Sequence, residues 1–267
     1  MDRIGNIAKS FNIRIPDTVN DNKSPVQRII DTENARRLNS SIYNCDICGN
    51  KRYIQKVKKH ENGFEETVTV HCECMPKYKA LKQARENGFD EKNGWDSYQT
   101  KYPWQKTVKE KALSFVENSK NEWFFISGQS GSGKTLICSI IAQKLLIDKG
   151  KEVLFISWMD YIAKIKRLAM NKEIDTLNAE INRVKKVEIL FIDDLLKNSA
   201  AADMNYLFEI INWRYSADLQ TIISTERTPA EFGQSDEAIY GRIAEKSKRY
   251  LVAITPGEGK NQRLNRN

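Results

Sequence analysis

Chemistry is first suggested by the run Gly128-Gln129-Ser130-Gly131-Ser132-Gly133-Lys134-Thr135. Glycines at this spacing let backbone N–H groups close around phosphates without obstruction by side chains. Lys134 is placed to reach the β and γ phosphates of a nucleotide, and the Thr135 hydroxyl to hold Mg²⁺. Further along, Glu188-Ile189-Leu190-Phe191-Ile192-Asp193-Asp194 is an apolar stretch ending in paired carboxylates. Asp193 is the expected second ligand of that Mg²⁺, direct or through water. Asp194 is then positioned to orient or deprotonate an attacking water, or, more simply, to cap the next segment. Ser224 and Thr225 end another apolar run and are candidates for contact with the γ-phosphate or the water. Ser224 is assigned to nucleotide binding and Thr225 to the chemical step; the plain alternative is strand-end capping. Arg242, in Ile239-Tyr240-Gly241-Arg242-Ile243, is a candidate for neutralising charge on the γ-phosphate, from a neighbouring copy, or else a solvated arginine.

A second chemistry lies in the cysteines. Cys45-Asp46-Ile47-Cys48 is a C-x2-C knuckle and Cys72-Glu73-Cys74 a tighter pair. Thiolates from both close a tetrahedral Zn²⁺ site, with His71 an alternative to one of them. Such a staple gives a fold to a short segment with little core of its own. No catalytic zinc pattern accompanies the cysteines. Cys138, inside the apolar run after Thr135, reads as a small buried residue.

These groups need a frame. Trp123 to Ser127 reads as a strand before the glycine loop, and Leu136 to Lys149 as a helix after it, stopped by Gly150. That helix presents its positive end to the phosphates. Further strands are expected at 153–156, 187–192, 221–224 and 250–254, with a long helix from Trp158 and another at 203–216. Continuous apolar strands alternating with helices predict a parallel sheet covered on both faces. Carboxylates at the ends of such strands lie in the crevice where ligands bind. A polar stretch rich in Gly and Asn, residues 88–103, reads as the boundary between the cysteine block and this α/β part.

Composition narrows the partners. The chain of 267 residues carries a formal charge of +8 with a pI near 9.1. That favours an acidic partner such as nucleic acid, although many basic soluble proteins have none. The last segment, from Arg242 on, holds seven cations against two carboxylates. After the second strand, Trp158, Tyr161, Lys164, Lys166 and Arg167 mix aromatics with cations in a manner suited to single-stranded nucleic acid. The helical spacing of Ile162, Ile165 and Leu168 instead favours burial for Trp158 and Tyr161. No run of about 18 apolar residues exists to span a membrane, and the N-terminus lacks the apolar core of a signal peptide, so a cytoplasmic location with no membrane partner is expected.

The combination resembles the DnaC/DnaI type of bacterial and phage helicase loader. It is carried by the cysteine block 43–88; Gly94-Trp95-Asp96-Ser97-Tyr98 leading to Pro103-Trp104-Gln105; the glycine loop; Trp158-Met159-Asp160; Ile192-Asp193-Asp194-Leu195-Leu196-Lys197; 208–215; 221–227; and 236–243. The resemblance implies a P-loop NTPase with an AAA+ core, lacking the helical lid, behind a small N-terminal zinc-containing helical domain. It implies domains at 1–95 and 96–267. The first would grip a hexameric replicative helicase. The second would bind ATP and single-stranded DNA and self-associate, Arg242 acting in trans. The implied activity is slow, partner-regulated ATP hydrolysis coupled to loading the helicase during replication initiation. Arg263 is a weak substitute for the arginine of the missing lid. Asp194 stands where AAA+ proteins usually carry Glu, and Glu226 where related loaders often have Asn. An IstB-like transposition ATPase, or a zinc-stapled DNA-binding protein with a vestigial ATPase, are the competing readings.

Overall fold

The computed structural model describes residues 23–40, 42–90, 93–197, 199–257 and 260–262. The chain divides into two compact units, Met1–Met75 and Pro76–Asn267.

In the first unit, α1 (Pro25–Ala35) starts where Ser24 accepts the Gln27 N–H at 3.2 Å and Pro25 occupies the first turn. Proline suits that position because its missing N–H would have no helical partner there. The block between the two cysteine pairs folds as a hairpin of β1 (Tyr53–Lys59) and β2 (Glu65–His71), paired antiparallel from Tyr53 opposite His71 to Lys59 opposite Glu65. This hairpin is additional to the helical unit expected. Its signal is the β-branched alternation Thr67-Val68-Thr69-Val70. Antiparallel pairing brings the start of β1 beside the end of β2, and with them the cysteines that precede and follow. The Asn34 amide of α1 exchanges two hydrogen bonds, both 2.9 Å, with the Gln55 backbone, satisfying the open edge of β1.

The second unit is entered through α2 (Met75–Glu86). After a short 3₁₀ turn at Trp95–Ser97 it runs α3 (Pro103–Asn118), β3 (Phe124–Ser127), α4 (Lys134–Ile147), β4 (Val153–Ser157), α5 (Trp158–Met170), α6 (Ile174–Lys186) and β5 (Ile189–Asp193). It continues with α7 (Asp203–Ser216), β6 (Gln220–Thr225), α8 (Pro229–Ser235), α9 (Glu237–Ser247) and β7 (Leu251–Ala253). The five strands form one parallel sheet in the order β4-β5-β6-β3-β7. Alternate strand residues divide between two cores, as the period of a strand requires. Phe124, Ile126, Ile189 and Phe191 pack with α3 and α4 on one face. Trp123, Phe125, Leu190 and Ile192 pack with α5 to α9 on the other.

Two expectations change. The segment 76–95 belongs with the ATPase core: Ala80, Ala84, Phe89 and Tyr98 are buried in the same cluster as α4. Its polar composition hides a few apolar anchors, and the division between units falls at residue 75, ahead of 95. The long helix from Trp158 is two helices, broken where Lys172 takes a left-handed conformation (φ 59°). Trp158 and Tyr161 are buried, as their spacing suggested, and Lys164 and Lys166 are engaged with Glu180 (2.8 Å) and Asp203 (2.6 Å). Among the described residues no helix is long and apolar enough to cross a membrane.

Candidate functional site

The glycine loop joins the end of β3 to the start of α4, at the carboxyl ends of the parallel strands. Gly131 and Gly133 have φ of 75° and 82°, a region other residues enter at a cost. A Cβ at Gly133 would press on the Tyr98 ring at 3.2 Å, and one at Gly131 would land on the Asn261 side chain. The loop is a closed cradle with neighbours on both sides. Lys134 folds back over it, donating to the Gly128 and Gln129 carbonyls at 2.8 and 3.0 Å. Burial pulls the Lys134 pKa down, and the charges of Glu226, Asp194 and Asp193 oppose that pull.

Placement of β6 between β3 and β5 decides the rest. Thr135 donates to Asp193 Oδ1 at 3.0 Å, and Ser224 donates to the same oxygen. Ser224 Oγ also accepts the Asp194 N–H at 3.1 Å, so one hydroxyl holds both acidic positions. Burial pushes the Asp193 carboxyl above its ordinary range, although the Ser224 hydrogen bond pulls the other way. Thr135 and Asp193 thus present the oxygen pair expected of a Mg²⁺ site facing a phosphate.

The other assignments scatter. Asp194 sits beside the loop, with φ 52° and its carboxylate 3.0 Å from Lys197. Thr225 is fully buried and donates to the Leu195 carbonyl at 2.8 Å while accepting the Arg227 N–H at 3.2 Å; it pins a turn, and the reading of it as a catalytic group is corrected. It points to the opposite face of β6 from Ser224, since successive side chains alternate. Arg242 lies on α9, away from its own chain's glycine loop. It donates to the Ala238 carbonyl at 2.7 Å, with its guanidinium 5.3 Å from the Phe208 ring and 5.8 Å from that of Tyr215.

A cleft of about 390 Å³ opens over the loop, bounded by Lys134, Thr135, Asp194, Lys197, Glu226 and Gln262. A second, of about 630 Å³, continues past Gly133 between Tyr98, Tyr102 and Gln105. Clefts of these sizes suit a nucleotide, with phosphates at the loop. Lys197 received no role from the sequence, and the chain after β7 none beyond its basic charge and the weak reading of Arg263. The chain after β7 lies against the loop: Gln262 N–H donates to the Gly131 carbonyl at 2.9 Å, and Gly257 N–H to Gln129 Oε1 at 2.9 Å. Nothing in the composition of that tail signals the contact. Arg263 lies outside the described residues.

In the first unit, Cys45, Cys48, Cys72 and Cys74 are buried free thiols whose sulfurs all lie within 4.8 Å of one another. The Cys45–Cys72 and Cys48–Cys74 sulfur separations are 3.8 and 3.6 Å. A tetrahedron built on Zn–S bonds of about 2.3 Å has edges of about 3.8 Å, so the donor set and its spacing fit zinc. His71 is exposed at the end of β2 and stands outside the cluster. Arg52, in a left-handed conformation (φ 72°), joins the two knuckles: its N–H donates to Cys48 Sγ at 3.3 Å, and its carbonyl accepts the Cys72 N–H at 2.9 Å. Burial raises the Cys48 thiol, but the Arg52 N–H and the neighbouring thiols outweigh it and bring it to about 7. Burial and the Cys48, Cys72 and Cys45 thiols push Cys74 up to about 12, against the opposing pull of the Arg52 side chain. Thiols this close ionise together only around a cation.

The comparisons with known proteins bear on the fold and the family. The phage-like element PBSX protein XkdC of Bacillus subtilis (strain 168) is 28% identical over 233 residues, covering 80% of this chain and 84% of XkdC. The replicative helicase loader DnaI of the same organism is 26% identical over 162 residues, 56% of this chain and 50% of DnaI, so the alignment spans about half of that relative. The crystal structure of the DnaC helicase loader superposes with a TM-score of 0.55 at 23% identity, covering 63% of this chain and 98% of that one. The AAA+ fold and the DnaC/DnaI resemblance read from the sequence therefore stand, and fold and family are those of a P-loop ATPase. The family model described as IstB-like ATP binding protein matches residues 73–244, well over half of the sequence, and the chain belongs to that family.

Proposed function

We propose that this protein is an ATP-dependent loader of a replicative DNA helicase onto single-stranded DNA, acting in the cytoplasm. The observation that carries the reading is the order of parts: a unit with four clustered cysteines and its own hairpin, followed by a core whose phosphate loop, Asp193 and Ser224 converge. The resemblance to DnaI and DnaC supports it. Convergence of these groups also disfavours a vestigial ATPase.

In this reading ATP lies along the two clefts. Gly128, Gln129, Ser130, Gly131, Ser132 and Gly133 surround its phosphates, and Lys134 meets the β and γ groups. Thr135 and Asp193 would hold Mg²⁺, which when bound screens the phosphate charge. Asp194 orients the attacking water and accepts its proton. Hydrolysis is slow because Asp194 is shorter than glutamate and is engaged by Lys197. Arg242 serves the cleft of a neighbouring copy, so ATP couples to self-association of the ATPase unit. The cysteines would hold Zn²⁺, fixing the hairpin unit as the grip for the hexameric helicase. The basic surface of the ATPase unit takes the DNA backbone, releasing counterions on binding.

The test is complex formation between the full chain and a purified hexameric replicative helicase, by size-exclusion chromatography with and without ATP. Co-elution, with helicase transferred to single-stranded DNA only when ATP is present, is the expected result. Failure to bind any replicative helicase, alongside intact ATP binding, would reject the loader reading and leave the ATPase.

A further inference from the structure

Lys197, a half-buried lysine, is held with unusual care. Its ammonium lies 3.0 Å from Asp194 Oδ2 and 3.2 Å from Glu226 Oε1. To bring it there the chain puts two non-glycine residues, Asp194 (φ 52°) and Leu196 (φ 62°), into the left-handed region within one turn. The turn is closed by the Lys197 N–H to the Asp194 carbonyl at 3.1 Å. It is bolted to β6 by the Leu195 N–H to the Ser224 carbonyl (2.8 Å) and by Thr225 to the Leu195 carbonyl. Leu195 and Leu196 are buried beneath it. Such conformations persist only where the surroundings impose them, and they gather at functional sites. A surface ion pair alone gains too little to account for that arrangement.

The direction of the side chain supplies the function. Lys197, Asp194 and Glu226 bound the same cleft as Lys134 and Thr135. Around the phosphate end there are thus two ammonium groups, Lys134 and Lys197, against three carboxylates, Asp193, Asp194 and Glu226. Two carboxylates beside an incoming terminal phosphate would repel it unless a cation intervened. We propose that Lys197 is a second phosphate-binding ammonium specific for the terminal phosphate of a nucleoside triphosphate, parked on Asp194 and Glu226 and drawn from them when that phosphate enters. A terminal phosphate carries more charge than either carboxylate and offers three acceptor oxygens, so it competes for the ammonium. A diphosphate ends one group short and leaves the pairing as it stands. Transfer of Lys197 also frees an oxygen of Asp194 only when a triphosphate is present, which ties the availability of the base to the arrival of its substrate.

This rests on the reading of the cleft as the nucleotide site. Affinities of the full chain for a non-hydrolysable ATP analogue and for ADP, both with Mg²⁺, separate the two. Lys197→Ala should weaken the analogue by about tenfold or more, the scale of one charge-assisted hydrogen bond, and leave ADP within about twofold. Lys197→Arg should recover most of the loss. Glu226→Gln removes a competitor for the ammonium and should move the analogue the opposite way, towards tighter binding, again sparing ADP. Equal loss for both nucleotides in Lys197→Ala, or no loss for either, overturns the proposal while the nucleotide site stands. So does Glu226→Gln weakening the analogue as Lys197→Ala does. A wild-type chain that binds neither nucleotide overturns the site itself, and the proposal with it.

Discussion

Ser224→Ala removes one oxygen atom and should disconnect Asp193, the proposed magnesium ligand, from its support. In the folded chain the Ser224 hydroxyl donates to Asp193 Oδ1 and accepts from the Asp194 N–H, and its side chain is fully buried. A hydrogen bond to a charged group contributes about 1.5–3 kcal/mol, equivalent to about 10–150-fold in an equilibrium constant. Nucleotide affinity measured in Mg²⁺ should therefore fall by that factor, while affinity in EDTA, which never used Asp193 as a metal ligand, stays within about twofold. The pH dependence gives an independent reading. Burial already raises the Asp193 carboxyl and Ser224 pulls it down, so its loss raises it further. The acid limb of Mg²⁺-dependent binding then moves to higher pH. A carboxyl whose folded pKa lies above its unfolded value detracts from stability above the folded pKa, and the penalty disappears below the unfolded one. Ser224→Ala should accordingly be most destabilising near neutral pH and approach the parent in acid. Ser224→Thr keeps a hydroxyl and should retain most Mg²⁺ dependence. An unchanged ratio of affinities in Mg²⁺ and EDTA, with an unmoved acid limb, would refute the role given to this hydroxyl.

Lys134→Ala should lose tight nucleotide binding, seen with a fluorescent ATP analogue, without a change in circular dichroism; unchanged affinity would remove the loop from the site. Protein purified without added metal should contain about one zinc per chain, lost in Cys48→Ser and kept in His71→Ala, and released as pH falls because the thiolates protonate. Arg242→Ala should bind ATP as the parent does but hydrolyse it poorly at every protein concentration, and mixing with Lys134→Ala, which still carries Arg242, should restore part of the turnover. Arg214 is fully buried and donates to the carbonyls of Val184, Lys185, Val187, Glu188 and Gln220, so Arg214→Ala leaves several buried acceptors bare and should lose at least about 3 kcal/mol in urea unfolding.

The groups legible in the sequence are those whose geometry is local. The glycine loop, Asp193 and the parallel strands each declare themselves within a single element and its flanks. Choosing between Ser224 and Thr225 needed one further fact, the parity of β6 relative to β5. Once β6 lies between β3 and β5, Ser224 faces Asp193, and Thr225 turns to Leu195. Lys197 was legible only as a member of a run, because its reach depends on two left-handed residues that nothing in their types announces. The unit boundary was misplaced for a similar reason. Phe89 and Tyr98 are single aromatics in a polar stretch, and only tertiary packing reveals that they belong to the ATPase core. The cysteine cluster was readable from spacing, whereas placing His71 outside it needed the hairpin register, which leaves it at the exposed end of β2.

The Arg214 contacts have a mechanical side. Its guanidinium fastens the C-terminal end of α6 to Val187 and Glu188, which lead into β5, and to Gln220 at the start of β6, while at the other end of α6 Ile174 is exposed, as is Met170 at the end of α5. With 13 residues, α6 is about 20 Å long, and buried Ile181 and Val184 and the Glu180–Lys164 pair hold it to its neighbours beyond its first turns. A displacement of the exposed tip is therefore carried by the packed helix to the entry of β5, whose far end carries Asp193. Whatever rests on the tip is coupled through β5 to the proposed magnesium ligand.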